Sequence, residues 1–243
     1  MKFGSFNKVI LLNYIVIKIE NINSDFANNI KNMVDSMDYK TYYHNLKKIG
    51  INVAPLYFNL SIFGKNIQIV KMIKGMTMQQ FMENQDVKVE EKVKKIKCLL
   101  LIYKKTLKDD VCIDLNMQNF IILKNDLVYI DFIPALYKSN IKKLNHISDY
   151  LKSYLDVNLA MCNLINYILR SMLYLDRNNL TKVFCNVSSI INEIFNIKVD
   201  TRKNKNCSED AVTYKDIIVK KVKTLKELTR FENSEEKPKM YYE

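Results

Sequence analysis

The sequence predicts an α+β chain: a small antiparallel β-sheet with one helix in residues 1–73, then a mostly helical part in 74–243. Three observations carry that reading. Short runs of β-branched and aromatic residues bounded by turn residues occupy much of the first seventy positions. Apolar residues recur at three- and four-residue steps over most of the remaining chain. One stretch, 111–133, departs from that helical pattern as loop, strand, tight turn and strand, with polar residues at its ends. At 243 residues and 48% apolar, the chain is long enough for one large domain or two small lobes around a shared cleft.

Residues 8–19, KVILLNYIVIKI, hold two β-rich runs separated by Asn13, the pattern of a tight hairpin ending near Lys18. The stretch just before it, FGSFNKV, holds Gly4 followed by Ser5. Residues 24–48 follow with Ser24 or Asp25 as N-cap and Ile30, Met33, Val34, Met37, Tyr42 and Leu46 at helical steps. The connection KKIGINVAP (47–55) leads into two strands, LYFNLSIF and NIQIVKMI, joined at Gly64-Lys65. VKMIKGMTMQQFME (70–83) passes from the second of these, through Met72 and Gly75, into a short helix.

Residues 87–108 predict an amphipathic helix with Val89, Val93, Ile96, Leu99, Leu100, Tyr103 and Leu107 on its core stripe. Glu90 and Glu91 at its start and Lys104, Lys105 and Lys108 at its end suit the helix dipole. Asp109 and Asp110 then read as a solvated turn. In VCIDLNMQNFIILKNDLVYIDFI (111–133), Asp114, Asn119 and Asp131 stand at intervals of five and twelve residues. A hairpin with its turn at Lys124 to Asp126 places Asn119 and Asp131 on adjacent strand ends, where an amide oxygen and a carboxylate can converge on one hard cation such as Mg²⁺. Asp114 lies a few residues away, able to orient a hydroxyl. Helical runs close the chain at about 148–176, 178–196 and 214–231, with Asp149 and Asp156 read as caps or solvated positions ahead of substrate contacts. The charged, apolar-poor 200–213 reads as a mobile loop and the tail from Glu232 as frayed.

Asp114, Asn119 and Asp131-Phe132 resemble the catalytic and metal-binding loops of the protein-kinase-like superfamily, including its aminoglycoside and choline kinase branch. The resemblance runs in order from residue 3 to about 160 and implies a two-lobed fold. It implies that IVIK, ending at Lys18, is the strand whose lysine meets the α/β-phosphates of ATP beneath a turn at Gly4 and Ser5. KKIGINVAP is similar to the LxxxGxxVP connection of the small-molecule branch, and 70–83 to the hinge, which sets Met72 among the nucleotide contacts. Asp114 would orient an acceptor hydroxyl and take its proton, while Asn119 and Asp131 would hold Mg²⁺. Two positions depart from the pattern. Cys112 stands where members usually carry His, and Tyr39 where the acid that pairs with the lysine is usual, with Asp38 beside it and Asp35 a turn earlier. The expected function is phosphoryl transfer from ATP to a hydroxyl acceptor, a small molecule favoured over a protein. The alternative is a pseudokinase that binds a nucleotide or a protein partner without transfer.

Other chemistry finds no foothold. The five cysteines are odd in number and lack CxxC spacing, so neither a disulfide framework nor a zinc site is suggested, and a reducing cytoplasm is the expected location. His44 and His146 make no catalytic pair, and GxSxG, HExxH and P-loop patterns are missing. The net charge of +12 mildly favours an anionic acceptor or partner, but no basic run interleaved with aromatics marks a nucleic-acid surface. No apolar run reaches the ~18–20 residues that span a bilayer. The apolar start is interrupted at Asn13 and followed by no small-x-small cleavage site, which argues against a secretory signal.

Overall fold

The structure, a computed structural model, describes residues 2–3, 7–20, 39–62, 65–124, 126–131, 135–143, 149–173 and 179–197. It is α+β with a small antiparallel sheet and several helices, the class expected from the sequence. The chain divides into two compact units: Met1–Thr77 with Ile102–Asp114 and Gln118–Ile147, and Met78–Leu101 with Leu115–Met117 and Ser148–Glu243.

The first unit is built on a five-stranded sheet of β1 (Lys2–Phe3), β2 (Asn7–Leu11), β3 (Ile15–Glu20), β4 (Leu56–Ile62) and β5 (Lys65–Lys71), in the order β1-β2-β3-β5-β4. All its pairings are antiparallel. The expected hairpin of 8–19 is β2–β3, turned at 12–14 where Leu12 N donates to Ile15 O at 2.9 Å. The Gly64 turn lies outside the described residues.

Register decides what each face carries, because directly opposed residues share a face. Val16 stands opposite Val70, and Lys18 opposite Gln68, which is opposite Asn59 on its other side. Val70, Gln68 and Lys18 are buried. The other face carries Phe58, Leu60 and Ile62, which are exposed. One face of the sheet thus buries a polar row, and the lysine belongs to it.

Within the expected helix of 24–48, α1 spans Tyr39–Lys48 and buries Tyr39, Tyr42, Tyr43 and Leu46, a stripe at three- and four-residue steps. Residues 21–38, with Asp35 and Asp38, lie outside the described residues. Gly50 ends the helix at φ +79, a left-handed turn that costs glycine nothing, and Ile51 N returns to Leu46 O at 3.0 Å.

A second, three-stranded sheet joins β6 (Met76–Thr77), β7 (Phe120–Leu123) and β8 (Asp126–Tyr129). Leu123 faces Asp126, which leaves a two-residue turn, and Lys124 adopts φ +37 as the first residue of such a turn requires. The loop after α1 adds a parallel bridge, Val53 to Tyr129, with Ala54 N bonded to Tyr129 O at 3.0 Å and Tyr129 N to Asn52 O at 2.8 Å.

The second unit is helical. Its elements include α2 (Met78–Glu83), most of α3 (Val89–Thr106), α5 (Asp149–Lys152), α6 (Val157–Leu173) and α7 (Leu180–Phe195), α4 (Lys138–Lys142) belonging to the first unit. α2 and α7 each pack on α6. α3 buries Val89, Ile96, Leu99, Leu100 and Tyr103 of its expected stripe. The single helical run expected over 148–176 is broken between α5 and α6 because Asp156 caps α6: its Oδ1 accepts from Asn158 N at 2.7 Å and Leu159 N at 3.3 Å. The run expected at 214–231, the 200–213 loop and the tail lie outside the described residues. Among the described residues no helix is long and apolar enough to cross a membrane.

Gly75 precedes β6 for a steric reason. A Cβ there would stand 2.6 Å from Ile121 Cγ2 and 2.9 Å from the Ile122 carbonyl oxygen. The backbone atom cannot move aside without loosening β7. Gly75→Ala is therefore expected to destabilise the protein by about 1–3 kcal/mol, read as a lowered urea midpoint at unchanged m-value.

Candidate functional site

The loop before β7 is shaped by alternation. Ile113, Leu115 and Met117 are buried, while Asp114 and Asn116 are half-exposed and Gln118 is exposed. The apolar residues pin the loop and turn the polar ones outward. A 3₁₀ turn over Met117–Asn119 then delivers the chain to β7. Because Phe120 faces Tyr129 in the hairpin, the residues just outside that pair also meet: Ile130 N donates to Asn119 O at 2.9 Å. Asn119 and Asp131 accordingly stand at the two adjoining strand ends.

Side chains complete the arrangement. Asn119 Nδ2 donates to Asp114 Oδ2 at 3.2 Å. From β3, Lys18 Nζ donates to Ile130 O at 2.7 Å and to Asp131 Oδ1 at 2.9 Å. The lysine side chain is only 9% exposed and the aspartate 28%. An ammonium so far from water needs acceptors, and the end of β8 supplies two. All four polar residues belong to the first unit.

The frame beneath them comes from residues that the sequence pattern did not single out as functional. Tyr42 of α1 is fully buried, and its hydroxyl donates to the Cys112 carbonyl, tying the helix to the loop two residues before Asp114. Tyr129 is buried between Phe120 and the site, its ring 5.1 Å from that of Phe120. Burial raises both phenols well above their ordinary range; Cys112 adds to the effect on Tyr42, and Tyr42, Asp131 and Asp114 add to that on Tyr129. Both therefore act as neutral donors. The only signal available in the sequence was placement, Tyr129 two residues before Asp131 and Tyr42 on the stripe of α1.

Asp110, expected as a solvated turn, is exposed, yet its carboxylate accepts from Ser139 N at 2.8 Å and from Ser139 Oγ at 2.5 Å. Beside it, Lys138 Nζ donates to the carbonyls of Thr106 at 2.6 Å, Leu107 at 3.0 Å and Asp109 at 2.5 Å, so a cation caps the C-terminal end of α3. Cys112 N bonds to Leu136 O at 2.8 Å, and Val111 bridges Tyr137. Residues 136–139 thus clamp the start of the loop.

The expected nucleotide contacts divide. Lys18 reaches the site. Gly4 and Ser5 lie outside the described residues. Met72 follows β5, but its N–H is already bonded to Tyr14 O at 2.9 Å, so a ligand contact there would fall to its carbonyl or its half-buried side chain.

Among the described residues no group of three or more His, Cys, Asp or Glu could hold a metal ion. Asn119 and Asp131 offer hard oxygens on neighbouring backbone, which suits Mg²⁺ completed by waters and substrate phosphates rather than a cage built wholly from protein.

No family model matches the sequence, and no curated protein matches it. Among solved structures, the chain is similar to the PknI kinase domain of Mycobacterium tuberculosis, at 10% identity and a TM-score of 0.43, covering 78% of this chain and 84% of that one. A cysteine-substituted mutant of the same domain gives 10% identity and a TM-score of 0.39, covering 72% and 76%.

Cys112 is buried, and burial pushes its thiol up to about 12. It stays protonated at neutral pH and is no nucleophile. Iodoacetamide at pH 8 is expected to label the exposed Cys185 and to spare Cys112 until the chain is unfolded in urea, as peptide mass spectrometry would read. The folded chain also holds the Cys112 proton more tightly than the unfolded chain. Its contribution to stability is full below the ordinary thiol value of 9.0 and is lost as pH climbs towards about 12.

Proposed function

We propose that this chain is a two-lobed, kinase-like phosphotransferase that moves the γ-phosphoryl group of ATP to a hydroxyl acceptor with Mg²⁺. The observation that carries this reading is the ion pair between Lys18 Nζ and Asp131 Oδ1, next to the Asn119–Asp114 hydrogen bond. Two pairs drawn from distant stretches of sequence, Lys18 with Asp131 and Asn119 with Asp114, support a reading as phosphoryl transfer, a chemistry that depends on positioning and charge more than on covalent help.

In this reading Asp114 accepts the acceptor's hydroxyl proton while the acceptor oxygen bonds to the γ-phosphorus. The bond from that phosphorus to the bridging oxygen breaks, and ADP leaves with the electron pair. Asn119, through its bond to Asp114 Oδ2, holds the carboxylate in one orientation. Lys18 would turn from Asp131 to the α/β-phosphates. Asn119 and Asp131 would hold the Mg²⁺, which when bound neutralises charge on the phosphates. The net charge of +12 favours an anionic acceptor, and a small molecule is preferred to a protein.

A second reading, nucleotide binding without transfer, is favoured by Cys112, a buried neutral thiol where the resemblance leads one to expect His. Thermal-shift titration with ATP, with and without Mg²⁺, followed by labelled-ATP turnover against pooled hydroxyl metabolites, separates the two. Transfer is expected in the wild type. Asp131→Asn is expected to abolish transfer and Mg²⁺-dependent binding while leaving the circular dichroism unchanged. Unchanged turnover in that variant would remove Asp131 from the metal role. Binding without turnover in the wild type would leave the second reading standing.

A further inference from the structure

Gln68 is fully buried on β5, and neither its Oε1 nor its Nε2 has a hydrogen-bond partner. Each orphaned polar atom of this kind costs on the order of 1–3 kcal/mol, so such atoms seldom persist without a use. Gln68 stands directly opposite Lys18 across the β3–β5 pair and directly opposite Asn59 across the β4–β5 pair. Asn59 Oδ1 is likewise buried and unpartnered. The three orphans are complementary: an acceptor on Asn59, then a donor and an acceptor on Gln68, in a row that leads to the ammonium of Lys18.

From this row we infer that Gln68 is a positioning residue for Lys18 in the nucleotide-bound state, an inference that rests on the phosphotransferase reading of the site. In the structure Asp131 Oδ1 and Ile130 O accept from Lys18. When Asp131 engages a cation, its carboxylate no longer serves the lysine alone, and a further acceptor steadies the ammonium as it meets the phosphates. Gln68 Oε1 takes that place, while Nε2 donates to Asn59 Oδ1 and so fixes which end of the amide faces the lysine. A neutral amide suits the task. It orients the ammonium by hydrogen bonding without cancelling the positive charge that the phosphates are to meet. The partnerless amide is then a group set aside for the nucleotide-bound state.

Isothermal titration of the full chain with Mg·ATP, and separately with adenosine, tests this. Gln68→Met keeps the side chain's length and removes both orphan atoms. It is expected to weaken Mg·ATP binding about tenfold, to leave adenosine binding unchanged and to leave the unliganded Tm equal or higher. Gln68→Glu keeps an acceptor but sets a negative charge against the ammonium and loses the donor to Asn59 Oδ1, and is expected to bind Mg·ATP no better than Gln68→Met. Equal affinity of Gln68→Met and wild type for Mg·ATP overturns the inference. A parallel loss of Mg·ATP and adenosine binding does so as well, since that is the mark of a merely structural defect. Should Gln68→Met not fold, Asn59→Ala, which removes the far end of the row, is expected to weaken Mg·ATP about threefold and adenosine not at all. An unchanged Mg·ATP affinity in Asn59→Ala again overturns it. If the wild type binds no Mg·ATP, the nucleotide reading falls and this inference with it, a result distinct from the variant outcomes.

Discussion

A buried ammonium is the constraint on which the site depends. Lys18 lies on the interior face of a sheet, where a lone positive charge is strongly disfavoured, and its bonds to Ile130 O and Asp131 Oδ1 draw the end of β8 to β3. The aspartate remains partly exposed, so water still shares in the pairing and weakens it. That balance matters chemically. A fully buried pair would resist opening for a ligand, and a fully exposed one would impose no geometry. Everything that places the end of β8 accurately therefore serves the lysine as well: the hairpin register, the bridge from Val53 and the Tyr42 bond to the loop at Cys112.

Local pattern made much of this legible. The β2–β3 hairpin, the two strands after it, α3 and the hairpin of β7 and β8 follow from period-two and helical spacing bounded by turn residues, because each is stabilised chiefly by its own repeat. Asp114, Asn119 and Asp131 could be singled out because they are polar residues at intervals of five and twelve beside apolar runs, and the structure brings Asp114 to Asn119 and Asp131 to Lys18. The features that the sequence concealed depend on register across the chain. Gln68 reads as an alternating polar residue on a half-solvated strand, and only its pairing with both Lys18 and Asn59 reveals a buried row. The break between α5 and α6 is a different case. Apolar spacing continues through it, and a single capping carboxylate, Asp156, overrides that spacing.

The supports of the loop share a chemical economy. Lys138 satisfies three carbonyls at the end of α3, Asp110 takes two donors from Ser139, and the Tyr42 hydroxyl meets the carbonyl of Cys112. Each uses one side chain to satisfy backbone groups that a helix end or an irregular loop would otherwise leave open. A site assembled in this way tolerates an irregular backbone without losing precision.

The separation of Lys18 from its partner also sets an order in time. The two residues are 113 positions apart. At ribosomal rates of ~5–20 residues per second, roughly 6–23 s pass between the synthesis of the lysine and that of the aspartate. Through that interval the first strands can pair, but the interior face they create holds a cation without the carboxylate that later answers it. Until β8 emerges the sheet lacks the Lys18–Asp131 pair. Nascent chains that end between β5 and β8 thus carry the lysine without that carboxylate.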